Sequence, residues 1–427
     1  MEPETSAIVA WIGLDWADQK HHLCLQPVGS EQVETVVLPH RPEAIHDWAC
    51  QLRQRFPQGF IAVALEQSRG ALLYALMGYA FFLLYPVPPR TLAEYRRAFF
   101  GSGAKDDPRD ADLLLELVRC HRDRLHLWAP DDPLTRRLRL LVEERRQAVD
   151  DRTRLSNRLT TRLKEAFPQA LEWVGELSRA AALKFLAHWP SLASVQQAPR
   201  ATLRRFYRTH FRLASEALEQ RLDQIRQARP LTSDEAVLQT AALLVPLLGR
   251  QLEELLAAIA RLDTAIAELF PQHPDHELWA SLPGAGAVLA PRLLVAFGSD
   301  RRRYQDAAEL QQFSGVAPVT ERSGKSCWVH WRWACPKFLR QSFHEFAAQS
   351  IYRSAWARAY YLQQKSRGAS HHAAVRALAF KWIRILYRCW QDRTPYDEAR
   401  YLRALQRRGS PLTLSLGLTP LCQEVGS

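Results

Sequence analysis

The sequence of 427 residues predicts an α/β domain at the N-terminus followed by a mainly all-α remainder. Over the first 130 residues, short apolar runs typical of strands alternate with helical spacing, as expected of a mixed sheet covered by helices. From residue 134 onward, long stretches contain few glycines or prolines and many arginines and glutamates. We therefore expect a mixed-sheet domain over residues 1–130, a long helical coiled-coil region over residues 131–270 and a mainly helical domain over residues 271–427.

Five strands are predicted in the N-terminal domain. Each is a short apolar or alternating run, and they lie at residues 7–14, 21–26, 33–38, 60–65 and 81–85. Helical spacing occurs at residues 42–56, 71–79 and 92–99, and a further helix starts near Asp107 and runs to about Arg119. Three strands in succession, followed by helix, strand, helix, strand and helix, is the order of the RNase H-like fold.

Residues 71–88 raise the question of a membrane span, because they are uncharged and mostly apolar. Gly78 interrupts this segment and its second half is aromatic, so we predict a buried helix followed by a buried strand. The acidic start of the chain predicts no signal peptide, and seven scattered cysteines predict neither a zinc site nor a disulfide framework. A cytoplasmic protein without a membrane partner is expected.

Two long helical regions follow the predicted sheet. Residues 134–167 are predicted to form one amphipathic helix, and residues 215–270 form a second region that we expect Pro230 and Pro246 to split. Long helices with charged faces commonly dimerise or bridge domains, and a plain helical domain within one subunit is the alternative. In the last part of the chain, helices are expected around an irregular stretch at residues 313–333.

The net charge is unevenly distributed along the chain. Its overall value of +12 favours a polyanionic partner. Residues 1–130 hold 13 lysines and arginines against 16 acids, whereas residues 271–427 hold 22 against 11. Most contact with phosphate is therefore expected in the C-terminal domain.

Four acidic residues are candidates for a metal site. Asp15 and Glu66 each directly follow a hydrophobic strand, so their carboxylates can converge at the edge of the sheet. Asp107 and Asp110 are three residues apart at a helix start and can face the same side. Carboxylate oxygens are the ligands that Mg²⁺ prefers, and paired ions can stabilise the attacking and leaving oxygens of a phosphodiester.

Each acid also has an ordinary structural interpretation. An aspartate after a strand is commonly a turn residue, and Asp107-Pro108 followed by Asp110 is typical of a helix N-terminus. The combination of two acids at strand ends with an acid pair opening a helix favours the metal site. Asp106 and Asp112 are the acids most easily confused with the assigned ligands.

A serine in the basic domain is a candidate nucleophile. Ser323 lies between Arg322 and the pair Gly324-Lys325, where an exposed hydroxyl near positive charge could reach a phosphate. Ser-Gly is also an everyday loop dipeptide, so this motif alone does not decide the role of Ser323.

The chain resembles the insertion sequence 110 family of DEDD transposases, which are bridge-RNA-guided recombinases. The resemblance is carried at the N-terminus by Gly13-Leu14-Asp15, Leu65-Glu66 and the run from Lys105 to Ala111. At the C-terminus it is carried by three segments, Ser281-Leu282-Pro283-Gly284-Ala285-Gly286, Phe313-Ser314-Gly315-Val316-Ala317-Pro318 and Ser323-Gly324. About three quarters of the chain is covered, and the middle region is longer than in compact family members.

Family resemblance implies a RuvC-like N-terminal domain whose acids bind Mg²⁺, and a C-terminal transposase domain whose Ser323 attacks DNA. It also implies double-stranded donor and target DNA, a structured non-coding guide RNA, and a homo-oligomer (dimer or tetramer) whose subunits share a site. The protein would act at the nucleoid of a prokaryote. Contacts with nucleic acid are expected from six basic residues, Arg322, Lys325, Arg332, Lys337, Arg340 and Arg367.

Three tryptophans, Trp328, Trp331 and Trp333, interleave with basic residues and could stack on bases or belong to a core. Two alternatives to a transposase stay open. A Holliday-junction resolvase-like nuclease would need only the four acids, and a nucleic-acid-binding scaffold would have lost its catalytic site.

Overall fold

The computed structural model describes residues 7–66, 70–99, 107–324, 326–330 and 332–417, and for Phe99, Asp107 and Ser415 it describes the backbone alone. The predictions made for Lys105, Asp106, Lys325 and Trp331 lie outside the described residues. The chain divides into two compact units, Met1–Pro130 and Asp131–Ser427, and each is considered by itself.

In the described residues of the first unit, a five-stranded sheet is accompanied by four α-helices. Its strands are β1 (Ile8–Asp15), β2 (Lys20–Pro27), β3 (Glu34–Pro39), β4 (Phe60–Leu65) and β5 (Phe82–Pro86). Its helices are α1 (Pro42–Arg55), α2 (Ala71–Leu76), α3 (Pro89–Phe99) and α4 (Asp107–Cys120). The predicted strands are confirmed to within one residue at either end.

The strands are arranged in the order β3-β2-β1-β4-β5. β1 pairs antiparallel with β2 and parallel with β4, while β4 pairs parallel with β5. The central strand β1 is paired at both edges, so its backbone groups are satisfied, and six of its eight residues are buried. This arrangement is a mixed sheet covered by helices, as predicted.

The apolar segment at residues 71–88 forms the predicted buried helix and strand. Leu72, Leu73 and Leu76 of α2 are fully buried, as are most residues of β5. No helix within the described ranges is long and apolar enough to cross a membrane.

The second unit is mainly helical. Its first helices are α5 (Pro133–Ala166), α6 (Gln169–Val174), α7 (Ala180–His188), α8 (Leu192–Gln197), α9 (Arg200–His210), α10 (Ser215–Gln227) and α11 (Glu235–Leu269). The later ones are α12 (His276–Ala280), α13 (Gly286–Phe297), α14 (Ala307–Phe313), α15 (Lys337–Ser350), α16 (Ala355–Ser366), α17 (His371–Asp392), α18 (Glu398–Arg407) and α19 (Leu412–Ser415). A hairpin of β6 (Val319–Ser323) and β7 (Ser326–His330) separates α14 from α15.

Helices α5 and α11 pack against each other within one chain and link two separate hydrophobic cores. Leu138 and Val142 of α5 belong to the core that α12–α19 build, with Ile266 of α11. Leu159 of α5 belongs to the core that α6–α10 build, with Val245 of α11. The long amphipathic helix predicted for residues 134–167 is thereby confirmed.

Two predictions for the second unit are wrong. Pro246 does not split the second helical region, because it lies inside α11. Its missing N–H removes one helical hydrogen bond, but Val245 and Leu248 beside it are buried and hold the helix in place. The stretch at residues 313–333 is not irregular throughout, because it contains the β6–β7 hairpin. Four of the five residues in each strand are exposed. Neither strand therefore has the alternation of buried and exposed positions from which a strand can be predicted.

Asp131 joins the start of α5 to the segment after α13. It is buried, and its Oδ1 accepts a hydrogen bond from the Ser299 backbone N–H at 2.7 Å. Arg303 and Arg139 each approach its carboxylate at 2.8 Å. Burial opposes ionisation, but the two guanidinium charges outweigh it and lower the pKa of Asp131.

Asp131→Asn is expected to destabilise the second unit by about 2–3 kcal/mol, because two partly buried guanidinium groups lose their counter-charge. Since the folded-state pKa is lowered, the stabilisation is present above the unfolded pKa of about 4 and is lost as the pH falls through the folded value. Urea unfolding at pH 7 and pH 3 should show the difference between variant and wild type shrinking at pH 3. Asp392→Asn, which removes an exposed ion pair with Arg388, is the control and should cost less than about 1 kcal/mol.

Candidate metal centre and nucleophile

The first two predicted ligands lie at the ends of neighbouring parallel strands. Asp15 is the last residue of β1 and is 3% exposed, and Glu66 directly follows β4. Leu14 is paired with Leu65, so Asp15 and Glu66 leave the sheet side by side. The prediction that these two acids lie at adjacent strand ends is confirmed.

By the alternation of side chains, Asp15 and Glu66 are on the face of the sheet that α4 covers. Strand side chains alternate between faces with a period of two. Gly13 and Ala64 therefore share a face with Asp15 and Glu66, respectively. Ala64 packs in the cluster that contains Leu114 of α4, so this face lies under that helix.

Gly13 allows the backbone of α4 to lie directly on β1. A Cβ atom at this position would lie 1.9 Å from the carbonyl oxygen of Ala111 and 2.3 Å from the backbone nitrogen of Leu115. Both are backbone atoms that cannot rotate away, so any side chain at position 13 would displace α4. Asp110 directly precedes Ala111, so it lies in the turn of α4 that contacts β1.

Asp110 is fully buried in the first turn of α4. Its Oδ1 accepts a hydrogen bond from Nε of Arg96 in α3 at 2.8 Å, and Nη2 of Arg96 lies 2.5 Å from the same oxygen. The other carboxylate oxygen, Oδ2, is buried without a hydrogen-bond partner among the described residues. A buried, unpartnered carboxylate oxygen is costly unless a cation or donor completes it, so Oδ2 fits a metal ligand.

Two other acids of α4, Asp107 and Asp112, were weighed as ligands in the sequence. Asp107 begins α4 and lies one helical turn before Asp110, but its side chain is outside the description. Asp112 is exposed, unlike Asp110. Within the described ranges, no group of three or more His, Cys, Asp or Glu side chains is arranged to hold a metal ion. The structure therefore gives positions for Asp15, Glu66 and Asp110, but it does not show a complete coordination sphere for a metal ion.

Ser323 ends strand β6 at the tip of the exposed hairpin. It is paired with Ser326 across a two-residue turn, and Gly324 adopts the left-handed conformation there with φ of +56°. A glycine in this conformation is what tight hairpin turns favour, so the turn fixes the position of the serine. Ser323 is exposed and Arg322 precedes it on the same strand, as predicted.

Two of the three tryptophans near the hairpin are at the surface, which excludes a core role for them. Trp328 is 58% exposed and Trp333 is 77% exposed. Trp328 stacks on His330 with ring centroids 4.2 Å apart, and Nε2 of His330 lies 2.8 Å from Oε1 of Glu321. This packing holds one tryptophan face against the strand.

The predicted nucleic-acid-binding residues are spread over several elements. Arg322 is on β6, Arg332 follows β7, Lys337 and Arg340 are on α15, and Arg367 caps the C-terminus of α16. Arg322, Lys337 and Arg367 are exposed, while Arg332 and Arg340 are half-buried. Their role stays a prediction.

Two residues of the candidate metal centre were not identified from the sequence. Arg96 is the ion-pair partner of Asp110, and it lies on a different helix, so no local spacing indicates it. Gly13 sets the distance between α4 and β1. A glycine inside an apolar strand is a usable signal for such a close backbone approach.

Comparison with known proteins identifies the chain as a transposase. A family model described as transposase matches residues 12–168, and a second, described as transposase of the IS116/IS110/IS902 family, matches residues 276–362. The first match contains all four acids and the second contains Ser323. The chain belongs to the IS116/IS110/IS902 family of transposases.

Relatives from insertion elements align along nearly the whole chain. The mini-circle protein for IS117 of Streptomyces coelicolor is 28% identical over 92% of this chain and 97% of its own length. A 42 kDa protein of insertion element IS900 from Mycobacterium paratuberculosis is 27% identical over 91% and 97%. A 44.8 kDa protein of insertion element IS116 from Streptomyces clavuligerus is 28% identical over 91% and 96%.

Proposed function

We propose that this transposase cleaves and exchanges DNA strands by combining a Mg²⁺ site at Asp15, Glu66, Asp107 and Asp110 with a nucleophilic Ser323. The N-terminal unit would then be an RNase H-like, RuvC-like domain. The strand order β3-β2-β1-β4-β5, with three antiparallel strands followed by two parallel ones, supports this assignment.

The observation that carries the metal site is the contact between α4 and Gly13. Asp110, whose buried Oδ2 has no partner among the described residues, directly precedes Ala111 in this contact, and β1 ends at Asp15 beside the strand that Glu66 follows, which supports a shared site. Oxygen ligands from two strand ends and one helix suit a hard cation such as Mg²⁺. When bound, Mg²⁺ would neutralise the phosphate and stabilise developing charge on the attacking and leaving oxygens.

The serine would carry the covalent step. Oγ of Ser323 forms a bond to the phosphorus of a DNA phosphodiester, and one bond from that phosphorus to a sugar oxygen breaks. The proton of the serine hydroxyl ends on the released sugar oxygen, so the total number of phosphoester bonds is unchanged. Arg322, exposed on the same strand, adds positive charge to the hairpin that would approach the phosphate.

Burial disfavours two other hydroxyl groups in the C-terminal region. Ser314 is fully buried, and its Oγ donates a hydrogen bond to the backbone oxygen of Gln311 at 3.2 Å. Tyr304 is also buried, and burial raises the pKa of Tyr304 to about 12, which leaves its hydroxyl weakly nucleophilic at neutral pH. The exposed hairpin tip is the more suitable position for an attacking alcohol.

The family resemblance further suggests a guide RNA and an oligomer. We propose that a structured RNA from the non-coding flank of the element pairs with donor and target DNA. Different subunits of a dimer or tetramer would supply the acids and the serine. The protein would act in the prokaryotic cytoplasm, on nucleoid DNA.

The proposal is tested by trapping the covalent intermediate. The full chain is incubated with DNA spanning the ends of its element, RNA transcribed from the flank and Mg²⁺, then denatured and digested for mass spectrometry. The expected result is a nucleotide attached to Ser323, and no adduct when EDTA removes Mg²⁺.

Ser326→Ala is the matched control, because Ser326 is the cross-strand neighbour of Ser323 and is equally exposed. It should keep the adduct, whereas Ser323→Ala should lose it. An adduct on Ser314, Ser326 or Tyr304 would contradict the assignment. Metal-dependent DNA cleavage that persists in Ser323→Ala would favour a resolvase-like nuclease.

A further inference from the structure

A segment of the second unit contains no acidic residue. Between Glu176 and Glu216, 39 residues include seven lysines and arginines, two histidines and no aspartate or glutamate. This segment spans α7, α8 and α9 and belongs to the helical core at residues 159–252, outside both family-model matches. Its charge is therefore far from the balance expected of an ordinary solvated surface.

Helix α9 separates apolar and basic residues onto opposite sides. Leu203, Phe206 and Tyr207 are buried in the helical core. Arg205 and Arg208 are exposed, and their spacing of three residues places them along one face of the helix. Arg212, two residues beyond the end of α9, is also exposed.

The other arginines of α9 are already neutralised by α10. Nη2 of Arg200 lies 2.8 Å from Glu219, and Nη1 of Arg200 lies 2.7 Å from Asp223. Arg204 donates to both carboxylate oxygens of Glu219, at 2.9 and 3.0 Å. By contrast, Arg205, Arg208 and Arg212 form no ion pair with any residue that the structure describes. The acids of α10 therefore stabilise the helix packing and leave the outward cations unpaired.

Helix α7 adds two exposed basic side chains beside α9. Lys184 and His188 are exposed and lie one turn apart on α7. The ring of Phe206 lies 5.8 Å from that of His188 and 4.6 Å from that of His210, which places the end of α7 beside α9. We call the five residues Lys184, His188, Arg205, Arg208 and Arg212 the basic face.

Arg212 occupies a backbone position that favours glycine. It has φ of +54°, and its N–H donates to the carbonyl of Tyr207 at 3.0 Å, closing the end of α9. The left-handed conformation at a helix end is usually taken by glycine, because a Cβ atom is disfavoured there. The chain has an arginine at this position, where it extends the row of exposed cations.

We infer that the basic face binds the phosphate backbone of duplex DNA, as a second contact surface separate from Ser323 and the acidic centre. Unpaired arginines in a row contact phosphates without reading sequence. The choice of DNA rests on family membership, whereas the inference does not depend on the metal or serine chemistry proposed above.

The test removes, in the full chain, the exposed cations Arg205 and Arg208 of α9 and Arg212 just beyond that helix. The triple variant Arg205→Gln, Arg208→Gln, Arg212→Gln is titrated into fluorescent duplex DNA at several salt concentrations. We expect at least tenfold weaker binding, and a slope of log K against log salt reduced by about 2–3, since each lost phosphate contact removes about 0.9. Strand cleavage at saturating DNA should be unchanged.

The matched control removes three exposed arginines elsewhere in the same unit, by Arg226→Gln, Arg229→Gln, Arg250→Gln. This control changes the net charge by the same amount but leaves the basic face intact. It should therefore reduce the slope by less than one. Equal slopes for the two triple variants would overturn the inference. So would a loss of binding to the RNA transcript with unchanged binding to DNA. Asp110→Asn should keep the wild-type slope, which separates this result from a failure of the metal site.

Discussion

Gly13→Ala is expected to lower strand cleavage by about 100-fold or more while the sheet stays folded. The added Cβ atom would lie 1.9 Å from a backbone oxygen of α4, so the helix must move by more than about 1 Å to restore normal contact. A misplacement of that size in a catalytic group commonly costs about 100-fold in rate. Asp110 moves with α4, so its position relative to Asp15 changes although neither acid has been altered.

The measurement is single-turnover DNA cleavage, with circular dichroism to follow the fold. Gly78→Ala is the control, because a Cβ atom there meets only Ala75 O at the ordinary distance of 3.4 Å. It should retain cleavage within about twofold of the wild-type rate, since such surface changes rarely disturb a structure. Full cleavage by Gly13→Ala would show that the approach of α4 to β1 does not position the site.

Asp110→Asn is expected to reduce cleavage by about 10²–10³-fold, the range for losing one group that stabilises charge in the transition state. The substitution keeps the size of the side chain but removes the charge that a metal ion would require. Residual cleavage should need a higher Mg²⁺ concentration than the wild type. Asp112→Asn, two residues further along α4 and exposed, should leave both rate and Mg²⁺ dependence close to wild type.

Asp110→Asn also leaves Arg96 without its counter-charge, so a loss of stability could imitate a loss of catalysis. The double variant Arg96→Gln, Asp110→Asn removes both charges and should recover much of the stability measured by urea unfolding. If cleavage recovers together with stability, Asp110 has a structural role and is not a metal ligand. If cleavage stays low, the carboxylate itself is required.

Much of the N-terminal unit could be predicted from sequence because its central strands are buried and therefore apolar. The runs that became β1 and β4 are almost continuously apolar, and each is followed by one acid. Parallel neighbours bring such residues together at one edge of a sheet, so the positions of Asp15 and Glu66 followed from the pattern. The pairing of Arg96 with Asp110 did not, because it joins two helices across a segment with no diagnostic spacing.

The errors in the second unit have a physical cause. Pro246 was expected to end a helix on its intrinsic cost of about 3 kcal/mol, but burial of its neighbours against α5 outweighs one missing hydrogen bond. The β6–β7 hairpin was missed because Trp328 and Val329 are exposed at its surface, and exposed strands carry no pattern of burial. Both errors reflect tertiary or surface context that local sequence does not contain.

The two cores at opposite ends of the α5–α11 pair also affect how the protein loses its structure. Each core has its own set of buried side chains, and only the paired helices are common to both. Cooperative unfolding requires that one region cannot open without the other, and two cores joined in this way need not meet that condition. A single melting temperature would therefore average separate transitions. Helices α7 and α9, which contribute to the basic face, belong to one core, whereas Val316 and Leu339 on either side of the Ser323 hairpin belong to the other, so loss of the first core need not unfold the second.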